Sequence, residues 1–563
     1  MALVTQFLTG VRKHVVAAED EELAQWLRVE PPLPDTYFQL RTELQSIFPR
    51  NSDSLSKIID RCLPEEDNVP EGKGSPWPGL NSFINEYMEY WRDVDFNDAV
   101  KLYTQLSNLL NSCANALANP TYGSILLKTS MSVSKSLCKL VMNLTKQPEL
   151  MAQIKSATTD EGERKSIAES AADIIQKIFT SCLMDRSSTR FDKPKGKKAG
   201  VYLFANLVLK LLISCYKSRL AVQMLTNIDK TGPALSLFPA SQRVTYLYHL
   251  GRLYFNVQHF VRANLCFEAA YAQCPPRFLK HRRQIITYWI PTNLLLGRFP
   301  SAALLSRPES AGLDAIFLPI CRAVSSGNFI AYYNAMSQAR PWLDRKGIYP
   351  FLFERLKTLV WRSLTRKTFV LTYAGPRQAG NSGARAAAPV LQLADVLAAA
   401  TYTQRRLEGW VPAPRQPPDR VRARPPPPQV NSLFMRAVAN SSSSGAGPES
   451  AGGTTLLPPA GGKVRELAMS EGLNFGNRPV TMDSVMGVVA GLVAMGLLNG
   501  FISYSQEKFA IEGTKRAGGD PVAAGWPSVW RVGLERWSEG PDGDAGGVDW
   551  RSVPAWVKGA VMV

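Results

Sequence analysis

The stretch Tyr246–Pro275, YLYHLGRLYFNVQHFVRANLCFEAAYAQCP, constrains the fold more than any other part of the chain. Tyr246, Leu250, Leu253 and Tyr254 recur at helical spacing and so share one face of a helix. Ala263, Phe267 and Ala270 do the same for a second helix, and the small residues Gly251 and Ala263 let the two approach closely. One such pair cannot bury its own apolar stripe, so the flanking sequence must supply stacking neighbours.

The order Leu250, Gly251, Tyr254, Ala263, Phe267, Pro275 matches the tetratricopeptide pattern of a helical hairpin. Its connection ends in Phe260, and similar punctuation recurs at Gly297-Arg298-Phe299 and Gly327-Asn328-Phe329, 39 and then 30 residues further on. Each interval is about one helical hairpin. The spacing therefore predicts a solenoid of such hairpins, with an irregular helical bundle as the alternative.

Periodicity predicts helices elsewhere too. Ala99–Leu117 carries Leu102, Leu106, Leu109, Leu110 and Cys113 on one side, with Asn97 or Asp98 as cap and Pro120 beyond its end. The pattern repeats over Ser124–Leu144 and over Ile167–Cys182, the latter preceded by Asp160 and Glu163 at capping-box spacing. Val201–Tyr216 is almost wholly apolar, as suits a helix buried on several sides. Tyr349–Lys367 reads as a helix on which Arg355, Arg362 and Arg366, seven and four residues apart, fall within about 40° of one another. That stripe is either a row of phosphate contacts or an ordinary solvated face.

The 563 residues suffice for two or three domains, and the net charge is +18. From Arg345 to Arg436 there are 16 Lys and Arg against four acids, so two thirds of the excess lies in one segment. Such a concentration suits an acidic surface, nucleic acid or an acidic protein, although a basic linker beyond Gly375 accounts for part of it equally well. The eight cysteines are scattered without a C-x-x-C, and four histidines offer no ligand spacing, so a zinc site is not expected. Arg12 and Lys13 interrupt a weakly apolar start, unlike a signal peptide, which makes a reducing, intracellular setting the expectation. Lys193-Pro194-Lys195-Gly196-Lys197-Lys198 reads as an import address, a phosphate-contacting loop or a solvated loop.

The tracts at 375–388 and 411–462 are rich in Pro, Gly, Ser and Ala, including Pro425–Pro428 and Ser441–Ser444, and cannot build a core. Between them Val390–Tyr402 is expected to be a short helix. From Thr481 the pattern is a helix followed by alternating pieces at Phe501–Tyr504 and Lys508–Ile511, the ending of a winged helix. A membrane span competes with this reading, because Ser484–Gln506 is uncharged and Gly487 with Gly491 forms a G-x-x-x-G. Trp526, Trp530, Trp537, Trp550 and Trp556 stand in a Gly-rich tail and are expected to dock on the body or on a partner.

A helical solenoid ending in a winged helix resembles the PCI-domain proteins, and specifically the branch similar to signalosome subunit twelve and to the PCI scaffold subunit of the TREX-two mRNA export complex. The residues that carry the likeness are Asn206-Leu207 with Leu211 and Cys215-Tyr216, Arg243–Tyr254, Phe260–Pro275, His281-Arg282-Arg283 with Tyr288-Trp289, Gly297-Arg298-Phe299 and Gly496–Ile502. The implied fold is mainly α: TPR-like helical repeats capped by a C-terminal winged helix, with disordered insertions. The corresponding layout is an N-terminal helical region (1–192), a basic linker (193–200), repeats (201–344), a winged helix interrupted by the two tracts (345–512) and a Trp/Gly-rich tail (513–563).

The resemblance implies a scaffold without cofactor, metal, small-molecule substrate or membrane, in the nucleus and cytoplasm. It would pair with a second PCI protein through the winged-helix edge, at Leu497, Phe501, Ile502 and Tyr504. A small acidic disordered subunit would lie along the solenoid. RNA or DNA would meet Arg355, Lys357, Arg362, Arg366, Lys367 and Lys508, with Arg282 and Arg283 as a second patch. The setting would be mRNA processing or export, or association with the COP-nine signalosome; a purely protein-binding scaffold is the alternative. An enzyme is disfavoured from the residues themselves, since no P-loop, H-E-x-x-H, G-x-S-x-G or G-x-G-x-x-G is present.

Overall fold

The computed structural model describes residues 2–50, 54–63, 77–147, 165–217, 220–373, 388–412, 456–459 and 463–538. Most of the two Pro/Gly/Ser-rich tracts lies outside these, as do Asp160, Glu163, Trp550, Trp556 and the side chain of Trp537. The chain is mainly α and divides into two compact units: Met1–Leu296 with Ala302–Ser310 and Gly533–Val563, and Gly297–Ser301 with Ala311–Val532.

The first unit runs α1 (Ala2–Val16), α2 (Asp20–Trp26), α3 (Asp35–Ile47), α4 (Ser54–Cys62), α5 (Pro78–Asp93), α6 (Ala99–Leu117), α7 (Leu127–Leu144), α8 (Ile167–Met184), α9 (Val201–Ser214), α10 (Ala221–Thr231), α11 (Ala240–Asn256), α12 (Phe260–Gln273), α13 (Leu279–Leu295) and the one-turn α14 (Ala302–Leu305). Asp98 caps α6 by accepting from the amides of Val100 and Lys101. The cap of α8 is Ser166, which accepts from the Glu169 amide; the capping box expected at Asp160 and Glu163 lies outside the described residues. Helix α9 is apolar all round because α7, α8 and α11 each cover part of it.

Helices α11 and α12 form the expected hairpin, and α12 packs in turn on α13. Tyr246, Leu250 and Leu253 are buried from one side, Ala263, Phe267 and Ala270 from the other. A Cβ at Gly251 would lie 2.7 Å from the Phe267 ring, which is why the position carries none. Burying a side chain such as Phe267 stabilises the pair by about 1.5–3 kcal/mol. The punctuation at Gly297-Arg298-Phe299 does not open a full helix. Pro300 and Pro308 bracket the few residues available to α14, and Phe299 is exposed.

The second unit continues with α15 (Asp314–Ser326), α16 (Phe329–Arg345), α17 (Tyr349–Thr372), β1 (Val390–Gln392), α18 (Leu393–Leu407), β2 (Val411–Pro412), β3 (Leu456–Leu457), α19 (Met482–Ala494), β4 (Gly500–Ser503), β5 (Lys508–Ile511) and α20 (Pro521–Gly525); α21 (Val529–Ser538) ends the described residues. Here the Gly-Asn-Phe punctuation is a hairpin turn. Gly327 closes α15 with φ +68°, Asn328 caps α16 by accepting from the Ala331 amide, and Phe329 is buried. Helices α15, α16 and α17 pack on one another, and the Tyr332 hydroxyl donates to the carbonyls of Leu352 and Phe353 on α17.

Helices α17, α18 and α19 with the antiparallel sheet β1-β5-β4 make the winged helix. The expected helix at 390–402 is a strand for its first three residues, because β1 pairs with β5 and sets Leu391 against the buried Phe509. Helix α19, with 13 residues, is about 20 Å long, and no helix among the described residues is long and apolar enough to cross a membrane. Strands β2 and β3 pair at the base of the tract 413–455. Trp526 docks on this unit: its ring lies 5.1 Å from Phe369 and 6.5 Å from Phe509, and its Nε1 donates to Thr365 Oγ1 at 3.3 Å.

A Cβ at Gly327 would stand 2.4 Å from the Leu364 backbone nitrogen, whereas at Gly347, also left-handed, it would meet nothing within 4 Å. Gly327→Ala should cost about 2 kcal/mol or more, from left-handed strain of about 1 kcal/mol plus displacement of α17, and Gly347→Ala only the strain. Thermal melting of the two variants checks this, with Gly327→Ala expected to fall further.

Candidate nucleic-acid and partner interface

The stripe on α17 divides according to what crosses it. Arg355, Arg366 and Lys367 are exposed. Arg362 turns inward, where its Nε donates to the Leu497 carbonyl at 3.1 Å and its Nη2 to the Pro527 carbonyl at 2.6 Å. Burial, with Arg366 adding to it, pushes this guanidinium down to about 10. Lys357 is half-buried: its Nζ lies over the Phe353 ring at 4.4 Å and donates to the Ser470 carbonyl at 2.7 Å, beside Glu354 at 3.4 Å. Arg362 and Lys357 therefore hold the winged helix together, and the outward cations are Arg355, Arg366 and Lys367.

Lys508 stands on the outer face of the sheet, between Gln392 and Ser503. Along β5 the residues alternate, Phe509 and Ile511 inward, Lys508 and Ala510 outward. By the same pairing Phe501 shares the outer face with Ala510, and Ile502 faces inward with Phe509. Phe501 is 55% and Tyr504 64% exposed, whereas Leu497 is buried. Helix α19, in the position that would enter a groove of DNA, carries Asp483 as its one charged residue, so it has no basic side chain with which to read bases.

Arg282 and Arg283 do not form an outward patch. Arg282 Nε pairs with Glu309 Oε1 at 3.0 Å, and its guanidinium lies over the Tyr271 ring at 4.1 Å. The Tyr271 hydroxyl donates to Glu309 Oε1 at 2.6 Å and accepts from Arg307 Nη1 at 2.6 Å. Arg283 donates to the Glu309 carbonyl at 3.3 Å. With Glu309 5% and Arg282 11% exposed, the cluster ties α12 and α13 to the turn at 308–310. Burial alone would raise the Glu309 carboxyl, but the Tyr271 hydroxyl, Arg282 and Arg307 outweigh it and hold the group below the usual carboxylate range.

The basic run at 193–198 is half internal. Lys197 donates to the Asn119 carbonyl at 2.7 Å and Lys198 to that of Ser188, both buried, which leaves Lys193 and Lys195 outward. A basic element not singled out from residue order is the loop after β5, in which Lys515 and Arg516 stand exposed among Gly513, Gly518 and Gly519. Its cue was a basic pair between glycines directly after the second hairpin strand. Among the described residues no group of three His, Cys, Asp or Glu is placed to hold a metal ion.

Removing Arg362 leaves two part-buried carbonyls without their donor, at about 1–3 kcal/mol each. Arg362→Met should therefore lower the unfolding free energy by about 2–4 kcal/mol, and Arg366→Glu should stay within about 0.5 kcal/mol of wild type, as denaturant titration would show. Because Glu309 titrates lower in the folded than in the unfolded chain, its contribution is present above about pH 4.5 and disappears as pH falls through the folded value. Glu309→Gln should be less stable than wild type at pH 7 and should lose that part of the acid dependence, measured as melting temperature against pH.

No protein-family model matches the chain. It is similar to a PCI domain-containing protein of Schizosaccharomyces pombe, 27% identical over 302 residues, which are 52% of this chain and 65% of the relative. A CSN12 homologue from the same yeast is 30% identical over 221 residues, 39% of this chain and 51% of the relative. A PCI domain-containing protein 2 homologue of Drosophila melanogaster is 31% identical over 205 residues, 36% and 50% respectively. The chain thus spans about half to two thirds of the length of these relatives. Helical repeats running into a winged helix, together with these relatives, make the chain similar to PCI-domain proteins of the CSN12-like branch.

Proposed function

We propose that the chain is a non-catalytic PCI scaffold that pairs with a second PCI-domain protein through β4, is bound by a small acidic disordered subunit along its helical repeats, and contacts RNA or DNA through its winged-helix domain. The setting we infer is mRNA processing or export, or association with the COP-nine signalosome, in nucleus and cytoplasm. The observation that carries this reading is the open edge of the sheet. Strand β4 pairs on one side with β5 and lies at the end of the sheet order, and Phe501 and the adjoining Tyr504 are largely in solvent. Open edges invite another strand, and natural proteins guard them with lysine, proline or a bulge. The sequence of β4, Gly-Phe-Ile-Ser, contains neither lysine nor proline. Exposed aromatics beside such an edge suit a partner strand or helix.

Support for an acidic partner on the first unit is electrostatic. His249 on α11 is buried, and burial together with Arg252 and Lys210 pushes its imidazole down to about 3, so it stays neutral and the positive charge there is that of the two cations. Arg252 lies over the Tyr288 ring at 4.6 Å, held in place for an acidic side chain. For nucleic acid, the outward cations Arg366, Lys367 and Lys508 support backbone contact without base reading. The alternative, a scaffold that binds only proteins, is favoured by the absence of basic residues from α19.

Phe501→Asp with Tyr504→Asp should abolish equimolar co-purification of a second PCI-domain protein while leaving melting unchanged; retention of that partner would refute pairing through β4. Arg366→Glu, Lys367→Glu and Lys508→Glu together should weaken RNA binding and flatten its salt dependence by about 0.7 for each phosphate no longer neutralised. Equal affinity and slope in wild type and triple variant would leave the protein-only scaffold. Arg362 does not belong in this variant, because its loss destabilises the site it is meant to probe.

A further inference from the structure

Beside the sheet, the second unit has an open groove of about 790 Å³ whose lining includes Tyr373, Asn499, Glu512, Thr514, Lys515 and Arg516. We propose that this groove binds a short single-stranded stretch of nucleic acid, with phosphates on Lys515 and Arg516 and a base laid against Tyr373. The inference rests on the nucleic-acid reading above and gives it a place and a strand class.

Charge comes first. Lys515 and Arg516 are exposed, and neither makes an ion pair among the described residues. Glu512 is the acid among the lining residues; Asp520, which accepts from the Val522 amide at 2.8 Å, keeps its charge but lies outside the lining. The groove therefore carries two cations against one acid and attracts a polyanion.

Rigidity comes second. The amides of Arg516 and Ala517 donate to the Gly513 carbonyl at 2.9 and 3.1 Å, and that of Gly519 to Thr514 at 2.9 Å. Asn499 Nδ2 holds the loop at both ends, at 3.2 Å from the Glu512 carbonyl and 3.3 Å from that of Ala524. A loop already fixed in this way loses little freedom on binding.

The third element is a stacking platform. Tyr373 is half-exposed and lies almost parallel to Phe369, with ring centroids 4.6 Å apart at 18°, and Phe369 in turn packs on Trp526 at 5.1 Å. The tyrosine is thus braced from behind while it lines the groove. A base can lie on an aromatic ring only when unstacked from its own neighbours, which single strands allow and duplexes do not. A groove of this volume falls within the range of small-ligand sites, about 300–1,000 Å³, enough for a base with its sugar and phosphate and too small for a duplex. Arg366, exposed near the end of α17 and seven residues before the capping Tyr373, offers the next phosphate contact along the strand.

The test is fluorescence anisotropy of the full chain with a labelled short oligouridylate and a labelled duplex of equal length, across about 50–200 mM salt. Wild type should prefer the single strand. Lys515→Gln with Arg516→Gln should weaken binding and reduce the salt slope by about 1.4, from two phosphates at about 0.7 each. Tyr373→Leu should weaken binding by about five- to a hundred-fold with the slope unchanged, and Tyr373→Phe, which keeps the ring, should bind as wild type. Melting curves of all variants should match wild type; if Tyr373→Leu melts lower, the slope change in the glutamine pair and the behaviour of Tyr373→Phe decide. Unchanged affinity and slope in the glutamine pair, equal affinity for the duplex, or equal competition by polyglutamate overturns the groove. Loss of binding in the Arg366/Lys367/Lys508 variant with the glutamine pair unaffected would leave the broader reading standing, and failure of wild type to bind either probe would end both.

Discussion

The constraint on which the rest depends is that none of the described helices can hide its apolar face by itself. The stripe of Tyr246, Leu250 and Leu253 is satisfied by α12, and that of α12 in part by α13. How close two helices come is set by the residue that stands between them. Gly251 lets Phe267 lie against the backbone of α11, and Gly327 lets α17 press on the turn between α15 and α16. Packing at these two contacts is thus decided where a side chain is missing.

The winged helix shows the same dependence from the other direction. Its sheet has three short strands and would be marginal alone. Phe369, Trp526 and Phe509 form a continuous aromatic contact from α17 to β5, and the Thr365 hydroxyl anchors the indole. Arg362 reaches across the same region to the carbonyls of Leu497 and Pro527. A charge placed there without a carboxylate is tolerated because its donors are used, and because an arginine keeps its proton at any physiological pH.

Much of this was legible from residue order. The α11–α12 pair, the role of Gly251, a cap at Asn97 or Asp98 and the hairpin around 501–511 all follow from local sequence, because each depends on neighbours close in the chain. What escaped depends on distant partners. A helical projection places Arg355, Arg362 and Arg366 on one side of α17 and gives no sign that Leu497 and Pro527 cross at the level of Arg362. Arg282 and Arg283 read as a basic patch until Glu309, from a later turn, is brought beneath them. Val390–Gln392 looks helical by composition and becomes a strand only because β5 lies alongside it. Lys197 and Lys198 likewise read as solvated until Asn119 and Ser188 supply carbonyls.

The pairing of Val411-Pro412 with Leu456-Leu457 separates two problems that a long insertion would otherwise combine. Where a tract enters and leaves through a fixed clasp, the helices on either side do not register how much chain lies between. The entropy of closing a loop rises only with the logarithm of its length, about 0.6 kcal/mol for each doubling. An insertion joined to its domain through such a clasp can change length at almost constant stability, and so can evolve on its own schedule.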